Sequence, residues 1–437
     1  MRKELFKKII RDNQEYMPER LPREIELPLD SSKIISLIGS RRSGKTSVFY
    51  YTIQKLRKQL PTENIVYVSF DDDRMYDFSL ADFQVLLDAY YEMYPSNKSE
   101  IVYFFFDEIQ NIPNWELFIR RIYDTEKCRI FLTGSSSRLL SKEISTGLRG
   151  RTVTYTLFPL SFNEFLSFKS VKPDIYSSTQ AALIKNELNN YIETGGFPEL
   201  LLENDLKEKI LREYIDMIIY KDLIERYNVS NLFLIKYLVK YCFTNISTLL
   251  SINRVYNILT SMGKSVSKNT LYDYFGYLED AMILYQIPVF SDSAAVQQRN
   301  PKKMYVVDIG LKKAVSFEED RGKIFENIVF NQLKRSYDDI YYYKNGQEVD
   351  FVYLNKGKPH LINVSNDIDD AETYKREVNG LYAAMKKLNL KESLLITDYQ
   401  EKDEILENAI IHIVPLWKWL VGNDNVVFVG GEEQAQQ

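Results

Sequence analysis

Gly39-Ser40-Arg41-Arg42-Ser43-Gly44-Lys45-Thr46 is a complete G-x-x-x-x-G-K-T loop, and Ser47 follows it directly. The apolar run Ile34-Ile35-Ser36-Leu37-Ile38 precedes it, and Val48-Phe49-Tyr50-Tyr51 continues it. The run reads as a buried strand and the continuation as a helix start, so the loop lies in the strand–loop–helix context that makes such a match informative. Its glycines let successive backbone N–H groups close around an anion. Lys45 is placed to reach the β- and γ-phosphates of a nucleoside triphosphate, and the Thr46 hydroxyl to ligate Mg²⁺.

A second stretch completes the chemistry. Ile101-Val102-Tyr103-Phe104-Phe105-Phe106-Asp107-Glu108 is a continuous apolar run ending in two acids. Such a run reads as a parallel strand buried on both faces, delivering its carboxylates at the C-terminal edge of a sheet. Asp107 is placed to hold Mg²⁺, and Glu108 to orient and deprotonate an attacking water. The second acid favours ATP hydrolysis over nucleotide binding alone.

The 437 residues are too many for one core and predict several domains. Hydrophobic content of 45% and charged content of 27% are those of a soluble globular chain. No apolar run approaches the ~18 residues that span a bilayer, and Met1–Lys8 carries charges throughout. Cys128 and Cys242 are the only cysteines, which excludes a disulfide framework and fits a reducing, cytoplasmic setting. With His360 and His412 as the only histidines, a Cys/His zinc cluster is also excluded. The net charge of −5 provides no global attraction to nucleic acid.

Along the chain, residues 1–30 read as a charged amphipathic helix and a Pro-punctuated approach (Pro18, Pro22, Pro28). Residues 31–175 alternate strands (34–38, 64–70, 101–106, 129–133) with helical stretches, which predicts a parallel α/β sheet. Residues 176–230 read as a helical lid, with Leu211, Tyr214, Ile215, Ile218 and Ile219 at helical spacing. Residues 231–300 form a further segment, and 301–437 return to α/β, with strands at 304–307, 348–353 and 394–397.

These motifs resemble the prokaryotic and archaeal AAA-type P-loop ATPases that carry a C-terminal restriction-endonuclease-like domain. The resemblance rests on Gly39–Thr46, Asp107–Trp115, Thr133-Gly134-Ser135-Ser136-Ser137 and Leu148-Arg149-Gly150-Arg151. It continues through Phe158–Phe165, Gly195-Gly196-Phe197-Pro198-Glu199 and Glu348-Val349-Asp350-Phe351. It implies an α/β fold with an AAA-type parallel sheet, a helical lid, a winged-helix segment and a nuclease-like α/β domain. ATP and Mg²⁺ are the implied cofactors. Thr133 is implied as a polar sensor of the γ-phosphate, against the alternative of a hydroxyl-rich turn capping a helix. Arg149 and Arg151 resemble an arginine finger acting in trans within a homo-oligomer, against the alternative of surface salt bridges. Gly195–Pro198 is implied to lie near the nucleotide, or else to be a plain turn. Trp115, Phe158 and Phe162 read as core.

Residues 235–292 suggest the winged helix. Ile252–Leu259 is its first helix, Met262-Gly263-Lys264 the turn, and Ser267–Tyr274 the recognition position with Ser267 as N-cap. Ile283–Phe290 reads as a wing strand. DNA is the partner this implies, although the segment carries few basic residues; the alternative is a purely structural arm between the ATPase and the C-terminal domain.

A restriction-endonuclease-like site needs a helix Glu, a strand Asp and an E-x-K tripeptide on the next strand. Glu326 and Asp350 match the first two, while the tripeptide position reads Asn363-Val364-Ser365. Neutral Asn363 is a weaker Mg²⁺ ligand than a carboxylate, and Ser365 carries no positive charge; Asp367 and Lys375 are the nearby groups that could substitute. The sequence therefore favours an AAA-type ATPase that couples ATP hydrolysis to action on DNA or a partner protein, with an inactive nuclease-like domain. The alternative is an ATP-regulated DNA nuclease of a defence or mobile-element system.

Overall fold

The computed structural model describes residues 2–134, 147–148, 150–316 and 320–422. Two compact units emerge: residues up to Pro159 together with Asp280–Met282, and Leu160–Glu279 together with the chain from Ile283 onward.

The first unit runs α1 (Arg2–Glu15), β1 (Ile34–Gly39), α2 (Lys45–Arg57), β2 (Ile65–Ser69), α3 (Asp82–Met93), β3 (Val102–Asp107), α4 (Trp115–Thr125), β4 (Cys128–Gly134) and β5 (Thr152–Leu157). The strands form one sheet in the order β2-β3-β4-β1-β5, every pair parallel. All six residues of β1 and of β3 are buried, as a parallel strand covered on both faces requires. Successive side chains alternate between two cores. Phe104 and Phe106 enter one, with Phe83, Trp115 and Phe118. Tyr103 and Phe105 enter the other, with Val48, Phe49 and Phe131. α4 contributes to the first core because Trp115, Phe118, Ile119 and Ile122 fall on one stripe of the helix. α1 also belongs to this core through Phe6, Ile9 and Ile10.

The second unit begins with helices: α5 (Phe162–Phe168), α6 (Ser178–Thr194), α7 (Lys207–Met217) and, after a π-helical stretch at Ile218–Glu225, α8 (Leu232–Thr244). Ser161 and Glu164 close a reciprocal capping box on α5. Next come β6 (Thr248–Leu250), α9 (Ile252–Ser261), α10 (Lys268–Asp280), β7 (Leu284–Ile287), α11 (Ala294–Arg299) and β8 (Lys302–Val306). The three strands form a small antiparallel sheet in the order β6-β8-β7. The strand assigned from sequence to the C-terminal region at 304–307 is therefore the central strand of this sheet. Ladder bonds to both neighbours decide its membership, and those partners lie too far away in sequence to be read from local pattern.

The remainder comprises α12 (Ile309–Val315), α13 (Arg321–Ser336), β9 (Ile340–Asn345), β10 (Gln347–Asn355), β11 (Lys358–Val364), α14 (Ala371–Leu388), β12 (Glu392–Thr397), β13 (Lys402–Leu406), β14 (Ala409–Pro415) and α15 (Leu416–Val421). Its sheet has the order β13-β14-β12-β11-β10-β9. β9, β10 and β11 are antiparallel, whereas β11, β12 and β14 run parallel. α14 makes the crossover between β11 and β12, as a parallel connection demands. Among the described residues, no helix is long and apolar enough to cross a membrane.

Phe105 is fully buried, stacked on Phe131 at 4.5 Å and edge-on to Phe49 at 5.1 Å. Phe105→Ala should lower the unfolding free energy in urea by about 3–5 kcal/mol. Tyr76→Ala, at a residue 92% exposed, should stay within about 0.5 kcal/mol. Equal effects of the two changes would contradict this packing.

Candidate functional site

Because β4 lies between β1 and β3, the C-terminal ends of three neighbouring strands meet at one place in the first unit. β1 ends in the Gly39–Thr46 loop, β3 in Asp107-Glu108, and β4 carries Thr133. The loop leaves β1 at Gly39, where a Cβ would stand 2.3 Å from the Leu157 carbonyl oxygen. It enters α2 through Gly44 at φ 100°, a left-handed conformation suited to glycine. Arg42 is also left-handed, at φ 67°. The buried Arg23 guanidinium holds the loop from outside, donating to the carbonyls of Ser43 and Phe158, each at 2.8 Å. No motif marks Arg23 in the sequence.

Asp107 is buried and accepts three hydroxyl hydrogen bonds. Thr46 Oγ1 donates to its Oδ2 at 2.7 Å, Tyr67 Oη donates to the same oxygen at 2.9 Å, and Thr133 Oγ1 donates to Oδ1. Burial, and then the charge of Glu108, push its pKa above the usual carboxylate range, while the three hydroxyls pull the other way. Thr133 also ties the two acids together, since its oxygen accepts from the Glu108 N–H at 2.8 Å. Tyr67, on β2, was not among the sequence candidates; its β2 position is registered beside Phe105 of β3.

Glu108 has φ 53° and ψ 43°, a conformation that side chains other than glycine adopt sparingly and that clusters at functional sites. Its Oε1 lies 3.6 Å from Lys45 Nζ, and its Oε2 accepts from Gln110 Nε2 at 2.5 Å. Burial raises its pKa, but Lys45, Gln110 and Arg41 outweigh burial and bring it below the usual glutamate value. The result is a carboxylate held toward its ionised form. The Lys45 ammonium is buried and donates to the carbonyls of Gly39 at 3.2 Å and Ser40 at 3.3 Å.

These residues fit a triphosphate with Mg²⁺. Among the described residues the buried hydroxyls of Ser40 and Ser43 have no hydrogen-bond partner, so the loop holds polar groups that an anion can satisfy. Among the described residues no three acidic, histidine or cysteine side chains cluster as a metal site. One carboxylate and one hydroxyl match Mg²⁺, which takes few protein ligands and fills its shell with phosphate and water.

Arg151 forms a two-pronged ion pair with Asp124, at 3.2 and 3.1 Å, and lies over the Tyr123 ring. Arg149 and the Ser135–Ser137 run lie outside the described residues. Trp115, Phe158 and Phe162 are core. In the second unit, Gly196 N–H donates to Asp308 Oδ2 at 2.7 Å, which accounts for the Gly195–Pro198 motif as a buried turn. α10 begins at Lys268, with Ser267 Oγ accepting from the Thr270 N–H at 3.0 Å. Lys264 lies over the Phe233 ring and Lys268 over the Tyr256 ring.

The C-terminal cluster differs from its sequence expectation. Asp350 sits where the β10–β9 register shifts, between Val349 and Val352. Its Oδ1 pairs with Lys303 at 2.7 Å, and Lys303 also reaches Glu326 at 2.9 Å. Asn363 accepts from Asp350 N–H at 2.9 Å and donates to Glu377 on α14. Neither group named from sequence is there. Lys375 is exposed, and Asp367 accepts from Asp369 N–H in its own loop at 2.8 Å and from Gln400 Nε2, in the loop after β12, at 3.1 Å. The lysine comes from β8, remote in sequence from the tripeptide position, and the extra carboxylate from α14, 14 residues beyond Asn363.

Comparison with known proteins agrees with this architecture. An AAA domain model matches residues 31–166. Two domains of unknown function, DUF8612 and DUF4143, match 185–321 and 321–419. An uncharacterized protein of Methanocaldococcus jannaschii is 34% identical over 434 residues, covering 96% of this chain and 95% of the relative. An uncharacterized protein of Haemophilus influenzae is 30% identical over 398 residues, covering 90% of this chain and 94% of the relative. Among solved structures, the Aeropyrum pernix ORC1 protein in complex with DNA shares 11% identity over 76% of this chain and 92% of that one, at a TM-score of 0.30. A score of that size carries no argument about this chain.

The Tyr67 hydroxyl donates to a buried carboxylate, a hydrogen bond worth about 1.5–3 kcal/mol when the acceptor is charged. Tyr67→Phe should therefore lower the nucleotide-free unfolding free energy by about that amount. An unchanged denaturation midpoint would remove Tyr67 from the group that positions Asp107.

Proposed function

The chain belongs to the AAA-domain protein family that its full-length archaeal and bacterial relatives represent, and from that premise we propose that it is a Mg²⁺-dependent ATPase acting on DNA or a partner protein. One observation carries the reading: Thr46, Tyr67 and Thr133 converge on buried Asp107 while Lys45 approaches Glu108. The loop N–H groups from Ser40 to Ser47, with the Ser40 and Ser43 hydroxyls, cradle the phosphates. Lys45 leaves its carbonyl acceptors to neutralise charge on the β- and γ-phosphates. Thr46 and Asp107 would hold Mg²⁺, which when bound would supply Lewis-acid neutralisation of charge on the phosphate oxygens. Glu108, ionised and released from Lys45, takes the proton of the attacking water. Thr133 bonds both acids and so links the metal side of the site to the base.

Arg149 and Arg151 are proposed as finger residues acting on a neighbouring copy. For Arg151 this role requires giving up its pair with Asp124. The proposed divisions are an N-terminal arm (1–30), an ATPase core (31–175), a helical lid (176–230), a winged-helix segment (231–300) and a nuclease-like domain (301–437). β8 extends the winged-helix segment beyond 300. The order β6, α9, α10, β7, α11, β8 sets two helices before an antiparallel strand pair, as in a helix-turn-helix followed by a wing with a short helix in its connection, and it favours DNA as the partner. The nuclease-like reading rests on the order α13, β9, β10, β11, α14, β12.

Lys45→Ala should abolish ATP binding, and Glu108→Gln should bind Mg²⁺–ATP while hydrolysing it slower by at least about a hundredfold, within the usual range for a general base. Equal turnover by wild type and Glu108→Gln in a phosphate-release assay would remove Glu108 as the base.

The DNA reading has its own check. If Lys264 and Lys268 each neutralise a phosphate, replacing both by Ala should weaken binding to duplex DNA and reduce the slope of log K against log salt by about two. An unchanged slope would return this segment to a structural role.

A further inference from the structure

The C-terminal carboxylates converge on a cation that the chain itself supplies. Lys303 lies in β8, the central strand of the three-stranded sheet, and is only 3% exposed. Positions two apart on a strand share a face, and Lys303 and Tyr305 both reach Glu326 of α13. The Tyr305 hydroxyl donates to Glu326 Oε1 at 2.6 Å. The Lys303 ammonium lies 2.9 Å from that oxygen, 2.7 Å from Asp350 Oδ1 and 3.4 Å from Glu348 Oε1. An ammonium has three protons, and three carboxylates from α13 and β10 face it. The other Asp350 oxygen, Oδ2, accepts from the Val364 N–H at 2.9 Å. Asn363 is spent on the Asp350 N–H and on Glu377.

A divalent metal does not fit these residues as they stand. Both Asp350 oxygens are engaged, the tripeptide carboxylate is replaced by a neutral amide, and an ammonium stands between Asp350 and Glu326. We infer that Lys303 is the resident cation of this cluster, taking the place that a divalent metal holds in a nuclease of this fold. The cluster therefore ties β8 to α13 and β10 instead of cleaving phosphodiesters. This rests on the nuclease-like reading only for the expectation of a metal; the ion lock stands on the distances alone.

The electrostatics agree. Burial alone would drive a lysine toward its neutral form, but Asp350 and Glu326 outweigh it and hold the Lys303 pKa above the ordinary value. Burial, then Asp350, push Glu326 up to about 8 against the pull of Lys303 and Tyr305.

The test is Mn²⁺ binding to the full chain without nucleotide, followed by electron paramagnetic resonance, together with melting in Mn²⁺ and in EDTA. Wild type should show no Mn²⁺ site that Asp350→Asn removes, the same melting temperature in both media, and no Mn²⁺-dependent cutting of DNA. Lys303→Met should melt lower in EDTA, gain about one Mn²⁺ per chain as its carboxylates lose their counter-ion, and lose that site again when combined with Asp350→Asn. An Asp350-dependent Mn²⁺ site or DNA cleavage in wild type would overturn the inference, as would a Lys303→Met protein that melts like wild type and binds no Mn²⁺. Should Lys303→Met fail to fold, the triple change Lys303→Met, Glu326→Gln, Asp350→Asn should fold, because the one carboxylate it leaves, Glu348, is 42% exposed and solvated. Its failure too would show that lysine packing, not charge, holds the cluster. The ATPase can fail its own assays without altering any of these outcomes.

Discussion

A buried carboxylate at the end of a central parallel strand organises the first unit. Asp107 can be buried there because Thr46, Tyr67 and Thr133 reach it from α2, β2 and β4. Burying an ionised carboxylate without partners would cost far more than a domain's margin of stability. The hydroxyls are therefore part of what permits the fold as well as part of its site. Since each comes from a different element, the order β2-β3-β4-β1-β5 is a precondition for the chemistry. Glu108 gains from the same arrangement, its left-handed backbone fixed by the bond from its N–H to Thr133.

The second unit solves a similar problem with the opposite charge. A lysine on a central strand is costly to bury, and Glu326, Glu348 and Asp350 offset that cost from two other elements. Removing one member of such a buried group leaves uncompensated charge, so the cluster specifies how β8 sits against α13 and β10. Asp308 plays a neutral-backbone version of this part, accepting from the N–H groups of Gly196 and Gly310 at 2.7 and 2.8 Å.

The sequence made four of the five parallel strands legible because they are largely buried on both faces, whereas β5, mostly unburied, shows no such run. Runs such as Val102–Phe106 announce themselves without any partner being known. The loop, Asp107, Glu108 and Thr133 were readable for the same reason, since each follows an apolar run. Tyr67, Arg23, Lys303 and Glu377 were not. Tyr67 looks like one more strand residue, and Arg23 like part of a charged, proline-rich approach. Lys303 stands in a Lys-Lys pair that reads as solvated surface until ladder bonds to β6 and β7 bury one of the two. β6, at three residues, is too short to show a period. Each of these depends on a contact made between separate elements, from 14 residues away for Glu377 to 135 for Arg23, which local pattern does not encode.

The central claim is that this strand edge is a Mg²⁺–ATP site built around Asp107, Glu108 and Lys45. Its most direct test is the structure of the chain with Mg²⁺ and a nonhydrolysable ATP analogue. The account predicts that Lys45 Nζ leaves the Gly39 and Ser40 carbonyls for the phosphates, that Mg²⁺ separates Thr46 from Asp107, and that Glu108 turns from Lys45 toward a water. A nucleotide bound elsewhere, with the Thr46–Asp107 and Lys45–Glu108 contacts intact, would contradict it.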